Sequence, residues 1–179
     1  MLHYPETQDK LREEIMKVLG CSARPSMSQK VDMPYTCAFI QEVYRFRTLV
    51  PLNVPHKTNK SFDINGYTIP KGTTISTNIW AVHNNPDVWD EPNKFKPERH
   101  LDDKGNFVQS KHVIPFSVGP RHCLGEQVAR MEVFIFLVSL VQKFEFLPDP
   151  DATDLPDIDN GANGTAFVPF PYQLVAKEI

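Results

Sequence analysis

The sequence predicts a mainly α-helical protein with a small β portion, an α+β fold. Apolar residues recur at helical spacing in residues 5–19 and 34–47, and each stretch opens on a proline, which suits the first helical position. A longer apolar stretch with the same spacing follows residue 125. Residues 52–78 instead carry short β-branched runs separated by turn dipeptides, which predicts strands.

Composition and charge narrow the class of protein. The chain has 179 residues, 41% apolar and 23% charged, as in an ordinary globular domain with a real core. Its net charge of −3 argues against nucleic acid as the main partner. Cys21, Cys37 and Cys123 are odd in number and form no C-x-x-C pair, so neither a disulfide framework nor a zinc ribbon is indicated.

The first two helices have clear ends. The first is predicted at Pro5–Leu19, because Gly20 is a typical residue just past a helix. Residues 21–32 are polar and predict a surface loop. The second helix runs from Pro34 to about Arg47, since Pro51 forces the chain out of the α region soon afterwards. The apolar stripe of the first helix consists of Leu11, Ile15, Val18 and Leu19.

The middle of the chain predicts short strands and loops. Asn65-Gly66 is a hairpin dipeptide between SFDI and YTI, and a short helix is predicted over residues 79–85. Trp80, His83 and Trp89 are interpreted as packing and capping residues without chemistry. Solvated loops are predicted at residues 101–111 and 148–160, and a hairpin-like extended segment at residues 163–179.

The helix after residue 125 is predicted to extend to about Phe144. Its longest apolar run, residues 133–141, is far shorter than the ~20 residues that a bilayer requires. We therefore predict a buried core helix and not a membrane anchor. The side chains expected on its apolar face are Val128, Met131, Phe134, Ile135, Phe136, Val138 and Val141.

The stretch FSVGPRHCLGE, residues 116–126, surrounds the cysteine best placed to act as a thiolate. Gly119 and Pro120 predict a turn before Cys123, and Arg121 supplies positive charge. A sulfur just ahead of a helix meets free backbone N–H groups and the positive end of the helix dipole, both of which stabilise a thiolate. Glycines at 119 and 125 let the backbone approach a flat ligand closely.

This pattern, F-x-x-G-x-R-x-C-x-G, resembles the haem-binding loop of the cytochromes P-450, the haem-thiolate monooxygenases. Its fixed positions are filled by Phe116, Gly119, Arg121, Cys123 and Gly125. With residue usage averaging ~5% per type, a chance match at one start is on the order of one in a few million. The resemblance implies haem b (iron protoporphyrin IX) as the cofactor and Cys123 as its axial thiolate, which donates electron density to the iron and favours O–O cleavage.

Glu42 and Arg45 form an E-x-x-R pair on one face of the second helix. An isolated pair of this kind is ordinarily a solvated surface pair. Beside the cysteine loop it resembles the second signature of the family, a buried pair joined by an arginine from a P-E-R segment. FKPERHL supplies Arg99 as that third member, and His100 stands where the family commonly has an aromatic residue, which weakens the argument from local packing.

Two further residues are predicted to bind the haem propionates by the same resemblance. His56, in the sequence VPH, matches a histidine that donates to a propionate in mammalian-type microsomal members. From the sequence alone, a structural role for this histidine is about as plausible as ligand binding. Arg121 is the stronger candidate, since a guanidinium binds a carboxylate bidentately.

The resemblance also implies a pocket for a hydrophobic organic substrate. Leu49 to Val54 would line it from one side, through Leu49, Val50, Leu52 and Val54. The turn near Gly164 would line it from the other side, through Thr165, Ala166 and Phe167. These residues are apolar or small, as such a pocket requires.

The implied activity is insertion of one oxygen atom of O2 into the substrate. Electrons would come from NADPH through a flavoprotein reductase that docks near Arg130 and Lys143, although Pro120 stands where many relatives carry a lysine. The best resemblance is to microsomal members that oxidise drugs, steroids and fatty acids. That implies the cytoplasmic side of the endoplasmic reticulum membrane.

The resemblance extends over essentially the whole chain, residues 1–179, but only to the C-terminal portion of a single, longer domain. The oxygen-activating threonine and its neighbouring acid, most substrate loops and the membrane anchor would lie upstream of residue 1. We therefore expect a fragment that is inactive alone, with no catalytic residue beyond the haem ligand and with membrane association only through the missing part.

Two alternatives remain open at this point. One is a truncated, non-catalytic member of the same family that binds haem weakly or acts as an interaction fragment. The other is an unrelated metal-binding domain that uses Cys123 with His122, His112 or His100. Adjacent His122 and Cys123 suit a tetrahedral zinc ion poorly, and no second clustered pair exists, which disfavours the latter.

Overall fold

Four α-helices carry the fold in the computed structural model, which describes residues 1–152, 154–155 and 157–179. They are α1 (Pro5–Leu19), α2 (Pro34–Phe46), α3 (Ile79–His83) and α4 (Glu126–Lys143). The α+β prediction is confirmed, and α1 has the predicted bounds. Three short 3-10 helices span Met27–Asp32, Pro97–His100 and Gly119–Arg121.

The first 3-10 helix lies inside a segment predicted as a surface loop. The backbone N–H of Ser26 donates to Oε1 of Gln29 at 2.8 Å, and the two residues form a capping box. This reciprocal capping satisfies backbone groups that would otherwise face solvent, and so it favours a short helix in a polar sequence.

The described strands pair in four separate two-stranded antiparallel sheets. Their bounds are β1 (His56–Lys57), β2 (Phe62–Ile64), β3 (Tyr67–Ile69), β4 (Thr74–Ile75), β5 (Phe144–Pro148), β6 (Gly161–Asn163), β7 (Phe167–Pro169) and β8 (Leu174–Glu178). The pairs are β1–β4, β2–β3, β5–β8 and β6–β7. The β2–β3 hairpin turns at Asn65 and Gly66, whose φ angles of 50° and 82° are those that such a turn requires.

Strand β5 is absent from the sequence-based prediction. It begins at Phe144, directly after the last residue of α4, with no glycine or proline between them. Its partner β8 lies 30 residues further along the chain at Leu174–Glu178, so the strand is stabilised by a pairing that local pattern does not reveal. In the predicted loop at residues 148–160, Thr153 and Pro156 lie outside the described residues.

The hydrophobic core lies between α1, α2 and α4. Its buried side chains are Leu11, Ile15, Leu19, Met33, Phe39, Ile40, Phe134, Val138 and Val141. Glu14 of α1 also caps α2: its carboxylate accepts the backbone N–H groups of Tyr35 and Thr36, both at 2.8 Å. An acid at a helix N-terminus satisfies unpaired donors and interacts favourably with the helix dipole, so α1 holds α2 in place.

Helix α4 differs from the predicted core helix. Phe134, Val138 and Val141 are buried, but Val128 and Phe136 are 53% and 62% exposed, and Met131 is also exposed. The helix presents one face to α1 and α2, while these three side chains lie outside that contact, so the prediction was wrong for them. Within the described part of the chain, no helix has the length and apolar character needed to cross a membrane.

Candidate functional site

The loop before α4 places Cys123 at an exposed position with a free thiol. The backbone N–H of Cys123 donates to the carbonyl of Phe116 at 2.9 Å, which closes the loop. The carbonyl of Cys123 accepts the N–H of Glu126, the first residue of α4, at 3.4 Å. The thiol is therefore held one turn ahead of the helix N-terminus, where the dipole favours negative charge.

The two glycines of the loop contribute in different ways. Gly119 has a φ of 79°, a left-handed conformation that L side chains rarely adopt. A Cβ at Gly119 would meet nothing within 4 Å, and one at Gly125 would meet only the Sγ of Cys123, at 3.9 Å. The loop thus leaves open space beside the sulfur, as a flat cofactor requires.

Arg121 and His56 lie at the same cavity in the structure. Both line a cavity of about 520 Å³ that also has Lys57 and Lys60 in its wall. They share a second, smaller cavity with Val54. His56 begins β1 and is fixed there by pairing with Ile75 of β4. The structure therefore brings the two residues predicted to bind carboxylates to one cavity, beside the cationic side chains of Lys57 and Lys60.

Glu42, Arg45 and Arg99 form a buried network. Arg45 donates to both carboxylate oxygens of Glu42, from Nε at 2.8 Å and from Nη2 at 2.7 Å, and both side chains have no exposed surface. Nε of Arg99 donates to Oε1 of Glu42 at 3.1 Å. Burial by itself raises the pKa of Glu42, but the hydrogen bonds from Arg45 and His100 outweigh it, and the pKa is lowered to about 2. The acid is therefore ionised at neutral pH.

His100 is a fourth member of the network. Its Nε2 lies 2.9 Å from Oε2 of Glu42, and its Nδ1 lies 2.9 Å from Nε2 of Gln41. Its ring also packs edge-on against Trp89, with centroids 5.8 Å apart. The imidazole of His100 therefore packs as an aromatic ring beside Trp89 and bonds the carboxylate of Glu42 as well.

His83 is a residue whose role sequence reasoning missed. Its side chain is completely buried and bonds Thr48 Oγ1 at 2.7 Å through Nδ1, and its Nε2 accepts the backbone N–H of Ile114 at 2.8 Å. Burial, followed by the charge of Arg45, lowers the pKa of His83 to about 4. A single histidine in a short helix carries no pattern that separates this role from ordinary packing.

The two segments predicted to line the substrate pocket meet in the structure. The backbone N–H of Phe167 donates to the carbonyl of Leu49 at 2.7 Å. Leu49 and Phe167 both line a mainly apolar cavity of about 530 Å³. Leu52 and Thr165 are exposed, Val50 and Ala166 are half-buried, and none of these four lines that cavity.

Arg130, predicted to contact a reductase, packs back onto the cysteine loop. Its Nε donates to Oε1 of Glu126 at 2.8 Å, and its guanidinium lies 5.0 Å from the centroid of the Phe116 ring. Lys143, at the far end of α4, is exposed. Across the described residues, no three His, Cys, Asp or Glu side chains are grouped as a metal ion would require.

Comparison with known proteins defines the class. The family model described as Cytochrome P450 matches residues 1–176. The chain therefore belongs to the cytochrome P450 family, a family of haem monooxygenases. It is 44% identical over 175 residues to "Cytochrome P450 2U1" of Bos taurus, covering 98% of this chain and 32% of the relative. It is 44% identical over 171 residues to "Cytochrome P450 2U1" of Homo sapiens, covering 95% and 31%.

"Cytochrome P450 2D3" of Rattus norvegicus is 43% identical over 176 residues, covering 98% of this chain and 35% of the relative. The chain spans about a third of the length of the curated relatives it matches.

Proposed function

We propose that this chain is the haem-binding part of a monooxygenase, with Cys123 as the axial thiolate ligand of the haem iron. The observation that carries the proposal is the geometry of Cys123: an exposed sulfur, in a loop closed on Phe116, beside open space at the N-terminus of α4. When bound, the haem supplies the oxygen chemistry, in which one atom of O2 enters a hydrophobic organic substrate and the other is reduced to water.

The residues of this chain have four tasks in that reaction. Cys123 ligates the iron, and the loop that carries it restricts the orientation of the sulfur. Arg121 and His56 bind the propionate carboxylates at the cationic edge where both line one cavity. The network centred on Glu42 holds the surrounding segments in place. Leu49 and Phe167 present apolar surface that excludes water from the substrate.

The electrons come from NADPH through a flavoprotein reductase. Helix α4 begins at the cysteine loop, so a protein that docks along this helix lies close to the haem site at its N-terminus. We assign Arg130, near the start of the helix, and the exposed Lys143, at its other end, as cationic contacts of this partner. We place the protein at the endoplasmic reticulum membrane, facing the cytoplasm, in a polypeptide of its relatives' length.

The optical spectrum of the reduced carbon monoxide complex tests the proposal. We would compare the chain with Cys123→Ala and with Cys21→Ala, which removes another exposed thiol. The proposal predicts a red-shifted, thiolate-type Soret band in the chain and in Cys21→Ala, and its loss in Cys123→Ala.

The unmodified chain, Cys123→Ala and Cys21→Ala are then each placed in a chimera, where they replace the matching third of the cattle relative. A band in the chimera alone supports the assignment of Cys123 and shows that binding requires the remaining two thirds. A thiolate band that survives Cys123→Ala, or the absence of any such band in both the chain and the chimera, would overturn it. Binding without turnover in the chimera would favour the non-catalytic alternative.

A further inference from the structure

His83 connects three parts of the chain that are distant in sequence. Its backbone carbonyl accepts Nη1 of Arg45 at 2.9 Å, which ties α3 to the buried network. Its Nδ1 bonds Thr48, just beyond α2, and its Nε2 accepts the N–H of Ile114, just before the cysteine loop. The side chain is fully buried, so solvent does not replace these partners if one is removed.

The partners fix the protonation state of the ring. The backbone N–H of Ile114 is only a donor, so Nε2 of His83 must carry a lone pair. The proton of the neutral ring is then on Nδ1 and is donated to Oγ1 of Thr48. That hydroxyl in turn donates to the carbonyl of Arg45 at 3.2 Å. A protonated ring would point an N–H at the N–H of Ile114.

A short series of hydrogen bonds continues from Ile114 to the thiol-bearing residue. The carbonyl of Ile114 accepts the N–H of Ser117 at 3.0 Å, and the carbonyl of Phe116 accepts the N–H of Cys123 at 2.9 Å. Oγ of Ser117 accepts Nδ2 of Asn53 at 2.9 Å, which holds the same turn from the other side. The His83 ring and backbone therefore link the cysteine loop to the Glu42–Arg45 network by hydrogen bonds.

We propose that His83 is a positioning residue for the cysteine loop: its neutral imidazole transmits the fixed geometry of the Glu42–Arg45 network to Ile114 and so sets the position of Cys123. The role in ligation rests on the proposed function, whereas the hold on the loop is a property of the chain itself. His83 touches neither the substrate nor Cys123, so it acts only through the segment that it anchors.

Three variants separate the roles of the two ring nitrogens of His83. In His83→Gln, the side-chain oxygen reaches the position of Nε2 and accepts from Ile114. In His83→Asn, the shorter amide reaches only the position of Nδ1 and bonds Thr48, and His83→Leu removes both bonds. Ile15→Val, in the core and away from the loop, serves as the control for a general loss of stability.

The first measurement is amide hydrogen exchange in the full chain without haem. We expect the amides of Ile114, Ser117 and Cys123 to exchange at least about fivefold faster in His83→Asn and His83→Leu than in His83→Gln. Amides of α1 should stay unchanged in the three variants. Equal exchange in all three, or faster exchange spread evenly over α1 and the loop, would overturn the proposal.

A second measurement needs no variant to fold. Nitrogen-15 spectra of the unmodified chain, labelled at histidine, report the tautomer of each ring, and the proposal requires Nδ1–H with a bare Nε2 at His83. An Nε2–H or doubly protonated ring at neutral pH contradicts it.

The third measurement is the thiolate-type band of the haem complex. It should fall in His83→Asn, recover in His83→Gln and be unchanged in Ile15→Val. A band equal in His83→Asn and His83→Gln would refute the role in ligation while leaving Cys123 as ligand. A band that persists in Cys123→Ala would refute the proposed function, and the exchange data would still decide whether His83 holds the loop.

Discussion

Arg45 and Glu42 face each other one turn apart on α2, joined by two hydrogen bonds of 2.8 and 2.7 Å with no exposed surface on either side chain. Removing one member of such a pair leaves a buried charge without its counter-charge. Glu42 also accepts hydrogen bonds from Arg99, His100 and the backbone N–H of Lys96, so its loss affects the segment 96–100 as well as Arg45.

Glu42→Gln should therefore lower the free energy of unfolding by ~3–5 kcal/mol, since Arg45 and Arg99 lose their counter-charge in a buried site. The measurement is urea unfolding followed by circular dichroism. Glu126→Gln removes the half-exposed partner of Arg130 and should change the same quantity by less than ~1 kcal/mol. Equal effects for Glu42→Gln and Glu126→Gln would mean that burial of the network adds nothing to the free energy of unfolding.

Acid should destabilise the fold in two stages. His83 has a folded-state pKa of about 4 against an ordinary value of 6.5, so the unfolded chain binds more protons between these values. The stability that His83 contributes is complete above pH 6.5 and is lost as the pH falls through 4, by on the order of 3 kcal/mol.

Glu42, lowered from 4.5 to about 2, adds a second loss as the pH falls from 4.5 through 2. Unfolding free energies measured from pH 7 to 2 should show both stages, one for each of His83 and Glu42. In His83→Gln the slope between pH 6.5 and 4 should flatten while the lower stage remains. An unchanged upper slope in that variant would show that another group causes it.

His100→Phe introduces the aromatic residue expected from the family at this position. The ring keeps its place beside Trp89, but Glu42 and Gln41 each lose a hydrogen bond. We expect the free energy of unfolding to fall by about 1–2 kcal/mol, less than for Glu42→Gln, because both arginines still bind the carboxylate. Unfolding curves of His100→Phe and Glu42→Gln, recorded side by side, check which variant loses more stability. An increase in the stability of His100→Phe would show that the imidazole is not an effective hydrogen-bond partner of Glu42.

Gly119→Ala tests whether the backbone conformation of the cysteine loop matters for haem binding. The left-handed conformation, with a φ of 79°, should cost ~1–2 kcal/mol when a Cβ is added, although no atom blocks the added carbon. Gly72→Ala is the matched control, with a φ of 86° and equally open space in a turn far along the chain from Cys123. Both variants should lose similar stability, but only Gly119→Ala should weaken haem binding in a spectral titration. Equal haem affinity in the two would argue that the loop conformation does not matter.

Local sequence signals were sufficient where the structure is local. Proline at position 5 and glycine at position 20 define α1, and Asn65-Gly66 defines the β2–β3 hairpin. The family prediction rested on five fixed positions within ten residues of the cysteine loop. The family model that matches residues 1–176 confirms it. These features depend on backbone conformations that few residue types adopt.

The remainder depends on contacts between distant segments. Strand β5 pairs with β8, and no break in the sequence separates β5 from α4. His83 and His100 acquire their roles from Ile114, Thr48 and Glu42, none of which is near them in sequence. The apolar residues of α4 have helical spacing on more than one face, so spacing alone did not identify the face that packs on α1.

Iron X-ray absorption of the haem complex is the most direct test of Cys123 as the ligand. We predict a sulfur atom bonded to the iron in the chain, or in the chimera with the cattle relative if the chain alone does not bind. That signal should persist in Cys21→Ala and Cys37→Ala and disappear in Cys123→Ala, where only nitrogen or oxygen ligands should remain. A sulfur signal unchanged in Cys123→Ala, or none in either protein, would contradict the account.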